Sequence, residues 1–185
     1  MATAEGSAQG LTPAHRRFLI RDAIVIAAVA NAGLNALIAW LFTVNEDEIP
    51  QAAVPFVEGP SVTVDTVATC FVLPFITTLV ITTVIWKEIR DGHLTRLPLA
   101  PGSLAERLPD TRLRRATVVG LLCLLLFGPI SLALLLLFDY GDISPGEFVL
   151  FKAIFGIVLG ALVTPFIAMV AFGDDPPPVE AVPAA

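Results

Sequence analysis

The sequence predicts an all-α integral membrane protein, a four-helix bundle with both termini in the cytoplasm. Three observations predict it. Four apolar stretches, at about residues 18–42, 62–86, 116–138 and 148–172, are each long enough to cross a bilayer. The chain is 56% hydrophobic with mean hydropathy +0.82, above the roughly 45–50% apolar content of soluble domains. The basic residues are sorted: Arg16, Arg17, Arg21, Lys87, Arg90, Arg96, Arg107, Arg112, Arg114 and Arg115 lie in the N-terminal segment or the central loop. Only Lys152 lies elsewhere. Positive charge is retained on the cytoplasmic side, so the central loop and both ends are expected there and the two acidic loops outside.

Residues 1–11 are small and polar and are expected to be disordered. The membrane domain runs 12–172. Thr12-Pro13 is a helix start, with Thr12 capping and Pro13 at the first helical position. The first span, Phe18–Phe42, holds Asn31 and Asn35 four residues apart on one face. Bare amides are costly in hydrocarbon, so both are expected to face other helices. They serve either as interhelical hydrogen-bond glue or as the lining of a solute path. His15 and the nearby arginines ahead of Ile24–Ala30 also resemble a signal peptide with Ala28-Val29-Ala30 as its cleavage site. The apolar run continues to Phe42, which favours a retained span.

The segment Asn45–Ser61 carries Glu46, Asp47, Glu48 and Glu58 with no basic residue, and its prolines argue against a helix. Ile49, Val54, Phe56 and Val57 are expected against the membrane surface. The second span has Asp65 in its first turn, where a carboxylate suits the helix dipole. Pro74 at its centre predicts a kink, followed by Thr77, Thr78, Thr82 and Thr83. The loop 87–115 contains Ser103-Leu-Ala-Glu106, a capping-box pattern that predicts a short helix on the membrane surface. Asp110 is the expected cap of the third helix. The basic cluster here suits anionic lipid, and its mixed signs argue against nucleic acid. The third span is nearly pure leucine in its second half, with Pro129 as a kink. Ser144-Pro-Gly-Glu147 is the best helix start in the chain. In the fourth span Gly156, Gly160 and Thr164 form a small-residue stripe for helix contact, with Pro165 as a third kink. Residues 173–185 form a Pro-rich tail, expected to be extended.

Leu73-Pro-Phe-Ile-Thr-Thr resembles Thr164-Pro-Phe-Ile-Ala, which suggests a tandem helical-hairpin repeat. Three patterns, Asn31-Ala-x-x-Asn35-Ala-x-Ile-Ala-Trp40, Asp65 nine residues before Pro74-Phe-Ile-Thr-Thr, and Lys152 thirteen residues before Pro165-Phe-Ile-Ala, carry a resemblance to small bacterial four-span membrane proteins. Some of these are loosely labelled permeases. The resemblance implies the bacterial cytoplasmic membrane and no known chemistry.

Two cysteines, Cys70 and Cys123, sit inside spans without a C-x-x-C pair, which excludes a thiol–disulfide or zinc motif. No cofactor or metal is expected. Asp65, Asp139, Asp142, Glu147 and Lys152 fall near the outer face, but single acids at helix ends are ordinarily caps. His15 and His93 are both cytoplasmic by the same topology. The spans show no deeply placed charge by position alone. A non-enzymatic accessory or structural subunit is therefore the first expectation, held by the bilayer and by a membrane-protein partner or its own copies. The alternative is a small oligomeric transporter or permease, with Asn31, Asn35, Thr77, Thr78 and Thr164 as its intramembrane polar site.

Overall fold

A computed structural model describes residues 11–52, 61–98, 101–138 and 141–176. It is all-helical, and four helices are long and apolar enough to cross a membrane: Pro13–Thr43, Val62–Arg90, Arg112–Leu137 and Pro145–Phe172. Each begins before or ends beyond the apolar run that predicts it. The extensions carry charged residues, among them Arg16 and Arg17, Lys87, Glu88 and Arg90, Arg112, Arg114 and Arg115, and Glu147. Within the first helix, Phe18–Ile26 is wound as a π-helix between α-helical Pro13–Arg17 and Ala27–Thr43. The helices run through Pro74, Pro129 and Pro165 without a break.

Helix ends are satisfied as their sequences require. Thr12 caps the first helix with its side chain on the His15 backbone N–H, and Pro13 follows. Ser61 caps the second helix on the Val64 N–H. The fourth has the full capping box: Ser144 accepts from the Glu147 N–H and Glu147 accepts from the Ser144 N–H. The third helix starts at Arg112, which leaves Asp110 outside it. The Ser103 pattern also departs from expectation. The Glu106 N–H does reach Ser103 Oγ at 3.3 Å, yet residues 101–110 form turns and no helix. Pro101 and Pro109 bracket too short a stretch for a helix to propagate.

The principal packing partners are the first helix with the fourth, the fourth with the second, and the second with the third. The bundle is thus an open row, with the fourth helix shared by the first and second. The sequence hairpins, first–second and third–fourth, are not principal partners. Glycine sets the close approach on both sides. A Cβ on Gly120 would lie 2.9 Å from the Phe71 ring, and one on Gly156 would lie 2.8 Å from Asn35 Nδ2. The main core gathers Leu73, Ile81 and Ile85 of the second helix, Val119 and Cys123 of the third, and Leu159, Val163 and Ile167 of the fourth. Leucines of the third helix, among them Leu125, Leu136 and Leu137, point outward, as a lipid-facing surface requires.

The two ends are tied differently. At the acidic-loop end, Ile49 and Ile143 form an isolated antiparallel bridge, with N–H to O distances of 2.8 and 3.0 Å. Ile49 is fully buried there with Val62, Leu135 and Phe148, rather than lying on the membrane surface. Val54, Phe56, Val57 and Glu58 fall outside the described residues, as do residues 1–10, Asp139 and residues 177–185 of the tail. Leu11, expected in a disordered segment, packs against the main core.

At the opposite end, the last carbonyls of the fourth helix would be orphans. Leu97 N–H donates to Phe172 O at 2.9 Å and Arg96 Nε to Gly173 O at 2.8 Å. Asp174 accepts a bidentate pair from Arg115, at 2.5 and 2.8 Å, and a bond from Trp86 Nε1 at 2.8 Å. His15 is fully buried, its ring edge-on to Phe172 and its Nε2 on Thr95 O at 2.8 Å. That carbonyl only accepts, so the network places the proton on Nε2.

Candidate functional site

Because the first and second helices both lean on the fourth, a groove is left between them. Two cavities occupy it. The outer, so termed only for its place at the acidic-loop end, has a volume of about 230 Å³ and is lined by Asn31, Leu34, Asn35, Asp65, Thr69 and Lys152 among others. The inner, about 480 Å³, is lined by residues including Ala30, Asn31, Leu34, Ile76, Thr77 and Glu88. Asn31, Leu34 and Ile76 line both, so the two cavities are successive parts of one groove that meet at these three side chains. The groove runs from Asp65 to Glu88 along the second helix. At a rise of roughly 1.5 Å per residue that is about 35 Å, slightly more than a hydrocarbon core of about 30 Å.

Its outer end is held by an ion pair that residue-by-residue reading of the spans did not reveal. Lys152, the eighth residue of the fourth helix, is 1% exposed. Its ammonium contacts Asp65 Oδ2 and Thr69 Oγ1 together. It also lies 5.9 Å from the Phe155 ring centroid. Asp65 and Thr69 are four apart on the second helix and present one face to the lysine. A buried ammonium without a carboxylate would be prohibitive in this setting, and the pairing is what allows it. Asp65 is therefore not simply a dipole-compensating first-turn acid. Its side chain is 27% exposed and lines the cavity, while Oδ2 itself is buried against Lys152. Lys152 lies about 10 Å from the start of its helix, buried within the protein and paired. Of the other outer-face acids, Glu147 is engaged in its capping box and Asp142 lies outside the site.

The expected polar residues are brought together only in part. Asn35 donates from Nδ2 to the Asn31 backbone oxygen at 2.8 Å. Asn31 Nδ2 is buried with no hydrogen-bond partner. Both amides abut the glycine stripe, Asn35 at Gly156 and Asn31 at Gly160, while still lining the groove. Thr77 lines the inner cavity. Thr78 is fully buried and donates to Pro74 O at 2.7 Å, a carbonyl near the point where the proline interrupts the ladder. Thr164 is fully buried, outside the residues lining the two cavities, with no partner for its hydroxyl.

Sequence reasoning placed Lys152 near the outer face without its partners, and it missed Thr69, Asp174 and the burial of His15. For Lys152 there was a signal: it is the one cation placed on the acidic side of the molecule. Among the described residues, no three His, Cys, Asp or Glu side chains converge as metal ligands. No protein family, curated protein or solved structure matches this chain.

Proposed function

We propose that this protein is a small-solute permease whose path is the groove between the first and second helices. The observation that supports it best is the groove itself: about as long as a hydrocarbon core is thick, with two cavities that adjoin at Asn31, Leu34 and Ile76, a carboxylate at each end and a buried ion pair facing one half. Ionisable groups within spans are expensive and are kept where they act on ions or solutes. The positive-inside distribution supports an orientation with both termini and the Arg-rich central loop cytoplasmic and the Asp65 end outward, and the proposed location is a bacterial cytoplasmic membrane. The central loop also meets anionic lipid. The lateral opening of the groove is closed by lipid, a second copy or a partner subunit.

A second reading, a non-catalytic structural subunit, is favoured by the seating of Asn31 and Asn35 on Gly160 and Gly156. Solvent access separates the two. With Cys70 and Cys123 replaced by Ala, single cysteines are introduced at Ala68, Leu34 and Ala30, and at Leu125 and Leu136 as lipid-facing controls. The permease reading expects a charged, membrane-impermeant thiol reagent to label the groove positions and to spare the controls. Groove cysteines as unreactive as Leu125→Cys would overturn it.

A further inference from the structure

We propose that the outer half of the groove binds a small lipophilic organic cation, with the carboxylate of Asp65 as its counter-ion; this rests on the groove being a solute site.

The choice of sign follows from which member of the ion pair is reachable. Lys152 is 1% exposed although its side chain borders the cavity, and Asp65 and Thr69 take two of its three N–H donors. Its ammonium offers an anion far less access than the 27% exposed Asp65 side chain offers a cation. Asp65 is the exposed member, and its buried oxygen is Oδ2, so the Oδ1 edge is the part that faces the cavity. A second ammonium arriving there makes a charge-assisted hydrogen bond to a carboxylate that one lysine has not saturated.

The surroundings act in the same direction. Among the described residues, 44–52 and 141–147 carry Glu46, Asp47, Glu48, Asp142 and Glu147 and no Lys or Arg. An acidic rim over a low-dielectric cleft raises the local concentration of cations and repels anions. The wall away from Asp65 is apolar, built from Leu34, Ile38, Phe42, Val72 and Ile76. Such a wall suits an aryl or alkyl body rather than a hydrated metal ion. The volume, about 230 Å³, is below the roughly 300–1,000 Å³ of drug-sized pockets, so the ligand is of fragment size. One carboxylate, one buried lysine and an apolar wall therefore specify a primary arylalkylammonium in preference to a carboxylate or a neutral analogue.

The test uses the full chain in mild detergent. The probes are 2-phenylethylammonium, the carboxylate of matching shape 3-phenylpropionate, and neutral 2-phenylethanol, each measured by equilibrium dialysis. The cation is expected to bind at least about tenfold more tightly than either analogue, the discrimination supplied by one charge-assisted contact. Asp65→Asn is expected to remove that margin. Since Asp65→Asn leaves Lys152 unpaired and endangers folding, the double variant Asp65→Asn/Lys152→Met, which removes both charges, is measured beside it and is expected to bind all three probes equally weakly. Equal binding of the three probes to the wild type overturns the proposal, as does a double variant that keeps the cation preference. If Ala68→Cys is labelled by the charged thiol reagent while the cation shows no preference, the ligand class is wrong and the path reading stands. If Ala68→Cys is unreactive, both fall.

Discussion

Replacing Asp65 with Asn strips the charge from one half of the buried pair and leaves the other half in place. The carbonyl of the new side-chain amide could still accept from the Lys152 ammonium, and Thr69 remains beside it. Neither neutralises a cation that is 1% exposed. Breaking a buried pair from one side costs about 3–5 kcal/mol, because the surviving charge is stranded. Lys152→Met is expected to cost less, about 1–2 kcal/mol, since the 27% exposed Asp65 can recruit water through the cavity once its partner is gone. The double variant restores neutrality with side chains of similar volume and is expected within about 1 kcal/mol of wild type. The cycle then returns a coupling of at least about 3 kcal/mol, at or above the top of the range for residues in contact. The assay is unfolding by increasing mole fraction of sodium dodecyl sulfate in mild detergent, followed by the fluorescence of Trp40 and Trp86. An Asp65→Asn variant within about 0.5 kcal/mol of wild type would mean that Lys152 is not confined as described, and the ion-pair argument would fail.

Other substitutions test the remaining contacts. Gly156→Ala and Gly160→Leu drive side chains into Asn35 and Asn31 and are expected to lose about 1–3 kcal/mol, whereas Gly33→Ala, with open space around it, is expected to be neutral or slightly stabilising in the same unfolding assay. Asn35→Leu removes one hydrogen bond and should cost about 0.6–2 kcal/mol; Asn31→Leu, whose Nδ2 has no partner, should cost less. Asp174→Asn breaks the bidentate contact to Arg115 in a pair whose side chains are 6% and 10% exposed, and is expected to speed limited proteolysis near residue 174. Reporter fusions after Arg96 and after Asp175 should read cytoplasmic and one after Glu48 external; an external signal from the central loop would invert the orientation.

The spans were legible because bilayer thickness and backbone satisfaction leave few alternatives for apolar runs of this length. The caps at Thr12 and Ser144 were legible for a related reason, since they depend only on residues within one turn. Ser103–Glu106 shows the limit of such local signals: the hydrogen bond forms, and the helix it heralds does not, because two prolines bound the segment. The Lys152–Asp65 pair was not legible for a different reason. Helical spacing places Asp65 and Thr69 on one face, and it says nothing about which helix that face meets. The partners are 87 positions apart, in helices that a hairpin reading would not make neighbours. The Asp174 clasp escaped for the same cause. A tail residue acquires a role only when Arg115 and Trp86, from two other helices, converge on it. The asparagines show both sides: their shared face was evident from spacing, whereas their seat on Gly156 and Gly160 required the packing.

The central claim is that the groove connects the two sides of the membrane past the shared lining of Asn31, Leu34 and Ile76. Side-resolved labelling of Leu34→Cys, in the Cys70→Ala/Cys123→Ala background and in vesicles of known orientation, tests it most directly. A charged, impermeant thiol reagent is expected to modify this cysteine when added from either side. Protection from both sides, with Ala68→Cys and Ala30→Cys reactive, would show two blind pockets and contradict a path.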